Sequence, residues 1–383
     1  MLYRWFVLRV GLVVISAGLG ASACSKSTTQ PAPAKAKTPV KGKAKVPGLV
    51  GAKAQRGDKG LLSAVDTILK GCVVSEWGVV RSRSCKDPKA EAHLKQREAE
   101  VGSRVALLTY CNLLGGKNHL GRALASYRIA SMNYAQRMTE AADPKVFTCL
   151  LSHFGTMRKA QHVRRLARAV AFMGTALKKD ALVLAAVKKQ PLSVAREAAY
   201  EALWANGRGR VFPALKAAID KAGEPALQIA AIKSFAFGTA PTPEEAKKIC
   251  GVLAPHLSDA DIDVAGAAAY QTASLCPEAK DALVKAAKAV LGRGAFTAIY
   301  VTALRSAAVH HRAKVTPARR KAIVGVLGEV LAKTQVEGLT RSTALMAIEA
   351  IDHGAGRRQA KAHRKDDVKF IADEAARILK RRR

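Results

Sequence analysis

The sequence has little negative charge and few aromatic side chains. Its 383 residues include 29 acidic and 64 basic residues, a formal net charge of +35, and only 5% are aromatic. Beyond residue 23 no apolar run is long enough to cross a bilayer, which excludes a polytopic membrane protein. Hydrophobic residues nevertheless make up 49% of the chain, which excludes a wholly disordered polypeptide. The length suggests about two domains or one extended repeat array.

Motifs for metal or nucleotide chemistry are also missing. The nine histidines form no H-E-x-x-H zinc motif, and His310 and His311 are adjacent, so they point about 100° apart on a helix. The stretch Gly115–Asn118 lacks two of the positions that define a phosphate-binding loop, and no C-x-x-C pair occurs. We therefore expect no catalytic residue, cofactor or metal, while an enzyme site assembled from distant residues stays open as an alternative.

Two further segments imitate functional loops. Acidic residues at 259, 261 and 263 resemble the start of a calcium loop, but Val264 and Tyr270 replace its required Gly and Glu. We interpret Ser258 with Asp261 as a helix capping box. The glycine pairs at 292–294 and 354–356 do not follow a strand, so we interpret both as helix stops rather than dinucleotide-binding loops.

The amino terminus has the layout of an export signal. Residues 1–23 combine the basic residues Arg4 and Arg9 with an apolar middle and a small-residue end. The next stretch, Ala21-Ser22-Ala23-Cys24, resembles the lipobox of bacterial lipoproteins. The resemblance implies cleavage before Cys24, fatty acylation of that residue and attachment to the bacterial envelope; Ser25 after it favours the outer membrane. Ordinary secretory cleavage after an A-x-A pattern is the alternative.

Residues 24–60 are predicted to form the lipidated terminus and a disordered tether. Pro31, Pro33, Pro39 and Pro47 interrupt regular structure, and several lysines repel one another. The lysines are consistent with two roles: adhesion of the tether to an anionic surface, or a soluble spacer without a binding function.

Cysteine number supports an exported protein. Acylation of Cys24 leaves six of the seven cysteines, an even set that an oxidising compartment would pair. Six cysteines allow 15 pairings, and proximity in sequence suggests Cys72 with Cys85, Cys111 with Cys149, and Cys250 with Cys276. For the last pair, a chain reversal near His256 would place the two cysteines at different heights and oppose a bridge.

Downstream of the tether, apolar spacing is helical. Residues Val163, Leu166, Ala167, Val170 and Met173 form one apolar stripe. Helix starts are predicted at Asp143-Pro144, Thr242-Pro243, Thr316-Pro317, Glu224-Pro225 and Cys276-Pro277. Later helices share a small residue at one recurrent position, at intervals of 32 to 41 residues, namely Ala198, Ala230, Ala267, Ala303 and Ala344. These intervals predict stacked helical hairpins.

The segments beginning at Arg196-Glu197-Ala198-Ala199 and Asp263-Val264 resemble the HEAT-repeat family. The resemblance covers roughly residues 190–380 and implies an all-α fold, a right-handed α-solenoid of stacked antiparallel helical hairpins with a concave binding face. We expect HEAT-like repeats over 190–383 with a basic carboxyl-terminal helix. Residues 61–189 are predicted to be a helical region that is either an amino-terminal cap or a separate subdomain.

The basic excess predicts contact with polyanions at low salt. The candidate contact residues are Arg158, Lys159, Arg164, Arg165, Arg168, Arg319, Arg320 and Lys321. Export and the scarcity of aromatic residues argue against nucleic acid as the partner. We therefore predict a non-catalytic envelope lipoprotein, anchored in the membrane by lipid, whose helical-repeat scaffold binds a protein or an anionic cell-surface polymer. An enzyme of unknown type, a nucleic-acid binder and a merely solvated basic surface are the alternatives.

Overall fold

The structure is a computed structural model that describes residues 57–132, 142–221, 223–294, 296–309 and 316–381. These residues belong to one unit, Lys53–Arg383, and form an all-α solenoid with one short β-hairpin, which confirms the predicted fold class. The predicted signal, Cys24 and most of the predicted tether lie outside the described residues, as do His310 and His311. No helix in the described part of the chain is long and apolar enough to cross a membrane.

The described helices alternate between two rows. The odd-numbered helices, from the third onward, form the inner row: α3 (His119–Met132), α5 (Ala160–Ala176), α7 (Ser193–Gly207), α9 (Pro225–Ser234), α11 (Ile262–Leu275), α13 (Ala298–Val309), α15 (Gly338–Ile351) and α17 (Lys369–Lys380). The even-numbered helices form the outer row: α2 (Ala90–Leu114), α4 (Pro144–Thr156), α6 (Asp180–Lys189), α8 (Phe212–Ile219), α10 (Pro243–Leu253), α12 (Lys280–Gly292), α14 (Pro317–Ala332) and α16 (His353–Ala362). The chain enters through α1 (Lys59–Gly71), followed by strands β1 (Val73–Val74) and β2 (Val80–Arg81).

Each inner helix packs against the next inner helix, from α3 through α17. The outer helices pack against the inner helices that are adjacent to them in sequence. The inner row is the more deeply buried of the two. Helix α11, for example, buries Val264–Ala269 and three residues of its last turns, whereas α6 buries only Val183 and Val187. The inner row also crosses residue 190 without interruption, so helices before that residue take part in the same stack.

Small residues explain how the inner helices approach one another. The recurrent alanines are the sixth residue of α7, α9, α11 and α13 and the seventh of α15, and all are buried. A methyl side chain at this position lets adjacent backbones come close while the larger neighbours fill the core between rows. The predicted repeat marks therefore lie at equivalent places in successive helices.

Helix starts follow the predicted capping chemistry. The Asp143 carboxylate accepts hydrogen bonds from the backbone N–H groups of Lys145 and Val146 at the start of α4. Thr242 forms a capping box with Glu245 at α10, and Thr316 caps α14. These side chains satisfy backbone donors that have no partner within the helix.

Two local predictions were wrong. Ser258 ends a 3-10 turn rather than capping α11; the cap is Asp261 itself, which accepts from the N–H groups of Asp263 and Val264. Residues 354–356 do not stop a helix but lie in the first turns of α16. A side chain at Gly356 would come within 2.5 Å of the Glu349 Cα, so glycine there permits close packing of α16 on α15.

Residues 57–60, the last part of the predicted tether, contact the helical body. Asp58 caps α1 by accepting from the Leu61 N–H at 2.7 Å, and its own N–H donates to the Thr109 hydroxyl at 3.0 Å. These contacts attach residues 57–60 to α1 and α2.

Candidate interaction surface

A β-hairpin between α1 and α2 presents an exposed tryptophan. Strands β1 and β2 pair antiparallel, and a disulfide between Cys72 and Cys85 joins the two ends of the hairpin segment. Trp77 lies in its turn with 57% of its surface exposed. The next residue, Gly78, has φ +74°, and an added Cβ would lie 2.1 Å from the Ala123 carbonyl oxygen. The turn therefore rests directly on α3, and only glycine fits at the contact.

The hairpin turn is also bonded to α5. Gln161 Nε2 donates to the Glu76 carbonyl at 3.1 Å, and His162 Nε2 lies 3.1 Å from the same oxygen. Arg165 Nη1 donates to the Trp77 carbonyl at 2.7 Å, and the Arg165 guanidinium carbon lies 5.2 Å from the centre of the Tyr127 ring. These contacts fix the position of the turn relative to α3 and α5.

The start of α5 is electrostatically positive. Burial lowers the pKa of His162, and the positive charges of Lys159, Arg165 and Arg122 lower it further, while the hydrogen bond with the Glu76 carbonyl opposes the change. A buried imidazole flanked by three cations resists protonation. The same positive charges also act on the exposed residues near His162.

We define the hairpin–α5 surface as Trp77, Arg158, Lys159 and Arg164. Helix α5 begins at Ala160, so Arg158 and Lys159 lie in the loop that precedes it. All four residues are exposed, and Arg158 donates to the carbonyls of residues 155 and 157. None of the three cations has a carboxylate within 4.0 Å among the described residues. The exposed Glu76 adds one negative charge nearby.

Two of the predicted polyanion contacts have structural partners instead. Arg165 holds the hairpin turn, as described above. Arg168 Nη2 lies 2.9 Å from Glu201 Oε2 on α7, and its guanidinium carbon lies 5.3 Å from the centre of the Phe237 ring. Arg165 thus joins α5 to the hairpin and Arg168 joins α5 to α7, so both guanidinium groups have contacts within the protein.

The second predicted basic cluster lies on the outer row. Arg319 Nε on α14 lies 2.8 Å from Asp281 Oδ1 on α12, and these residues border a shallow cleft of about 340 Å³ together with Lys285 and Lys288. Arg320 has a buried Nε without a hydrogen-bond partner in the described chain, and Lys321 is exposed. Of the eight predicted contact residues, five therefore lie on α5 or just before it in the inner row, and three lie on α14 in the outer row.

The six body cysteines form the three pairs suggested by proximity: Cys72–Cys85, Cys111–Cys149 and Cys250–Cys276. The expected difference in height for the last pair was wrong. Helix α10 continues into a 3-10 turn over Ala254–Ser258, so the chain reverses at residues 259–261 rather than near His256. The extra turn lengthens the first arm by roughly 2 Å per residue and so reduces the difference in height, and the Cα atoms of Cys250 and Cys276 lie 5.7 Å apart.

Sequence reasoning missed the hairpin and Trp77. Each strand has only two residues, too few for an alternating apolar pattern to be recognised. The available signal was the 13-residue separation of Cys72 and Cys85 around the turn residues Ser75 and Gly78.

No family model matches the chain, and no curated protein matches it. Among solved structures, the chain is similar to human deoxyhypusine hydroxylase in complex with glycerol. The TM-score is 0.29 and the sequence identity 16%, covering 74% of this chain and 98% of that chain.

Proposed function

We propose that the chain is a non-catalytic scaffold of the bacterial envelope, anchored through acylated Cys24, that binds an anionic cell-surface polysaccharide at the hairpin–α5 surface. The observation that carries this proposal is the exposed Trp77, whose carbonyl is bonded to Arg165 on α5, close in sequence to three exposed cations that have no carboxylate partner in the described chain. The helical rows supply a rigid frame for this surface.

The chemistry of the surface suits a charged sugar polymer. An indole ring offers a large, rigid apolar face, against which the C–H face of a sugar ring can pack. Arginine donates two parallel hydrogen bonds to phosphate or carboxylate groups, and lysine adds a point charge. Because the hairpin already packs on α3 and is hydrogen-bonded to α5, little ordering accompanies binding.

Competing partners are less well matched. Sequence-tolerant binding of nucleic acid uses several aromatic residues that stack on successive bases, whereas this surface offers one tryptophan. A protein partner would bury a broader apolar centre than Trp77 and the two exposed valines of the hairpin, Val73 and Val79, provide.

Binding of the full chain to lipopolysaccharide, a phosphate-bearing glycolipid, tests this function. Neutral dextran and a single-stranded DNA oligonucleotide serve as comparison ligands. We expect Arg164→Glu and Trp77→Ala to weaken lipopolysaccharide binding at least tenfold. The matched control, Lys321→Glu, makes the same charge change on the outer row and should alter affinity less than twofold.

Salt dependence provides a second readout. Three cations that contact phosphates release bound counterions, so we expect log affinity to fall linearly with log salt with a slope of about −2. Equal losses for Arg164→Glu and Lys321→Glu would show that net charge, not this surface, attracts the polymer. Preference for DNA, or a Trp77→Ala variant with unchanged affinity, would contradict the proposal.

A further inference from the structure

Three soft ligand atoms meet where α2 packs on α4. Cys111 is fully buried on α2, while Cys149 and His153 are four residues apart on α4 and therefore share one face of that helix. The two sulfurs and a ring nitrogen of His153 all lie within 4.8 Å of one another. Within the described ranges, this is the single His, Cys, Asp or Glu cluster with three ligand atoms so close together.

We propose that reduction of the Cys111–Cys149 disulfide opens a binding site for a thiophilic closed-shell cation, represented by Zn²⁺, with Cys111, Cys149 and His153 as ligands. The site is independent of the hairpin–α5 surface and of the proposed polymer binding.

The geometry requires only small movements. Zn–S bonds of about 2.3 Å and Zn–N bonds of about 2.0 Å in a tetrahedron separate ligand atoms by roughly 3.5–3.8 Å. Once the S–S bond is open, side-chain rotation can bring the three atoms to that spacing, because the Cα atoms of the cysteines are already 6.2 Å apart. Three protein ligands leave the fourth position to water, and the partly exposed His153 gives solvent access to it.

The surroundings leave room for the imidazole. The first residue after α2 is Gly115, and a Cβ there would lie 3.2 Å from His153 Cε1. Glycine therefore lets the ring lie against the end of α2. No hydrogen bond to the His153 ring occurs among the described residues, so its nitrogen does not have to leave a protein partner to bind a metal ion.

The redox step balances in electrons and protons. The disulfide accepts two electrons and two protons from a dithiol, which is itself oxidised to a disulfide, and two thiols form. Metal binding then displaces both thiol protons to solvent, because the thiolate is the ligand form. Exchange with a second disulfide, which accepts the two electrons and becomes a dithiol, re-forms the Cys111–Cys149 bond and releases the ion.

The other two disulfides provide controls within the same chain. Neither Cys72–Cys85 nor Cys250–Cys276 belongs to a described cluster with a third ligand atom. If reduction creates a site merely by freeing thiols, these pairs should bind Zn²⁺ as well as Cys111 and Cys149 do. If His153 is a required ligand, the other two cysteine pairs should bind Zn²⁺ more weakly than Cys111 and Cys149 do.

The test uses the full chain, reduced with a water-soluble trialkylphosphine because dithiols would compete for zinc. The phosphine takes oxygen from water and becomes its oxide as the disulfide is reduced. Zn²⁺ affinity is measured by competition with a chromophoric chelator, and circular dichroism reports folding. The variants are Cys111→Ser/Cys149→Ser and His153→Ala, with Cys250→Ser/Cys276→Ser and His93→Ala, at an exposed position of α2, as matched controls.

We expect the reduced chain to bind Zn²⁺ at least 100-fold more tightly than the oxidised chain. The Cys111→Ser/Cys149→Ser variant should lose this gain, His153→Ala should weaken binding 10- to 100-fold, and both controls should stay within threefold of the parent. X-ray absorption should show two sulfur ligands and one imidazole nitrogen. Unfolding of the parent on reduction, equal loss in the two cysteine variants, or full affinity in a folded His153→Ala variant would each overturn the proposal.

Discussion

At the scale of single residues, Gly78 controls whether the hairpin can rest on α3. We expect Gly78→Ala to lower the free energy of unfolding by about 1–3 kcal/mol from its positive φ alone. The clash with the Ala123 carbonyl adds to this loss. Urea unfolding measures the effect. Gly71→Ala is the control, because a Cβ there has no neighbour within 4 Å, and a loss equal to that of Gly78→Ala would contradict the argument.

His162 should make stability depend on pH. Its folded-state pKa is below the ordinary value of 6.5, so the unfolded chain takes up a proton first as pH falls. The folded state therefore loses stability as pH falls below about 6.5 and through the lower folded-state pKa.

Comparison with His162→Gln isolates this contribution, because the amide can still donate to the Glu76 carbonyl but does not titrate. We expect the parent to lose more unfolding free energy than the variant between pH 7.5 and pH 5.5, as measured in urea. Parallel pH profiles for the two proteins would show that His162 makes no such contribution.

At the scale of secondary-structure elements, a buried charged cluster joins α2 to α3. The Tyr110 hydroxyl donates to Glu98 Oε1 at 2.5 Å, and Arg128 Nε donates to the same oxygen at 2.6 Å. Burial raises the pKa of Tyr110, and the neighbouring Glu98 carboxylate raises it further, so the phenol stays protonated as a donor. The cluster lies across the kink at Gly102 and fixes both halves of α2 relative to α3.

Loss of one partner from this cluster should be costly. Arg128→Met leaves the buried Glu98 charge without a cation, and we expect the free energy of unfolding to fall by about 3–5 kcal/mol. Glu98→Gln added to Arg128→Met should restore a large part of that loss. The comparison variant, Lys216→Met, removes an exposed pair with Asp220 and should cost less than about 1 kcal/mol in the same urea titration.

Elements with local causes could be predicted from the sequence, and those with distant causes could not. The helix starts at Asp143, Thr242 and Thr316 depend on side chains next to the helix they cap. The hairpin, in contrast, is held by α3, α5 and a disulfide, so its two-residue strands have no periodic signal of their own.

The same distinction applies to the candidate surface. The basic residues near the start of α5 are evident in the sequence, but their roles depend on contacts made elsewhere in the chain. Arg165 binds a carbonyl 88 residues earlier, and Arg168 pairs with a carboxylate on α7. The positions of the basic residues in the sequence therefore do not reveal which cations lack a carboxylate partner among the described residues.

At the scale of the whole molecule, we expect attachment to the membrane to depend on Cys24 and folding of the helical body to be independent of it. We expect Cys24→Ser to move the chain from the membrane fraction to the soluble fraction of the envelope, because without acylation no fatty chain enters the bilayer. Fractionation with mass spectrometry of the amino terminus measures this. An unmodified amino terminus in the parent chain, or unchanged membrane recovery of the variant, would contradict the anchor.

The bridge between Cys72 and Cys85 has a consequence for proteolysis. A protease that cuts the exposed turn around Trp77 would divide the backbone, but the two fragments would stay covalently joined. The nicked chain should migrate as one species on a non-reducing gel and separate into a short and a long fragment after reduction. Cleavage of the turn would therefore leave the segment that precedes it, which includes the proposed anchor at Cys24, joined to the rest of the chain.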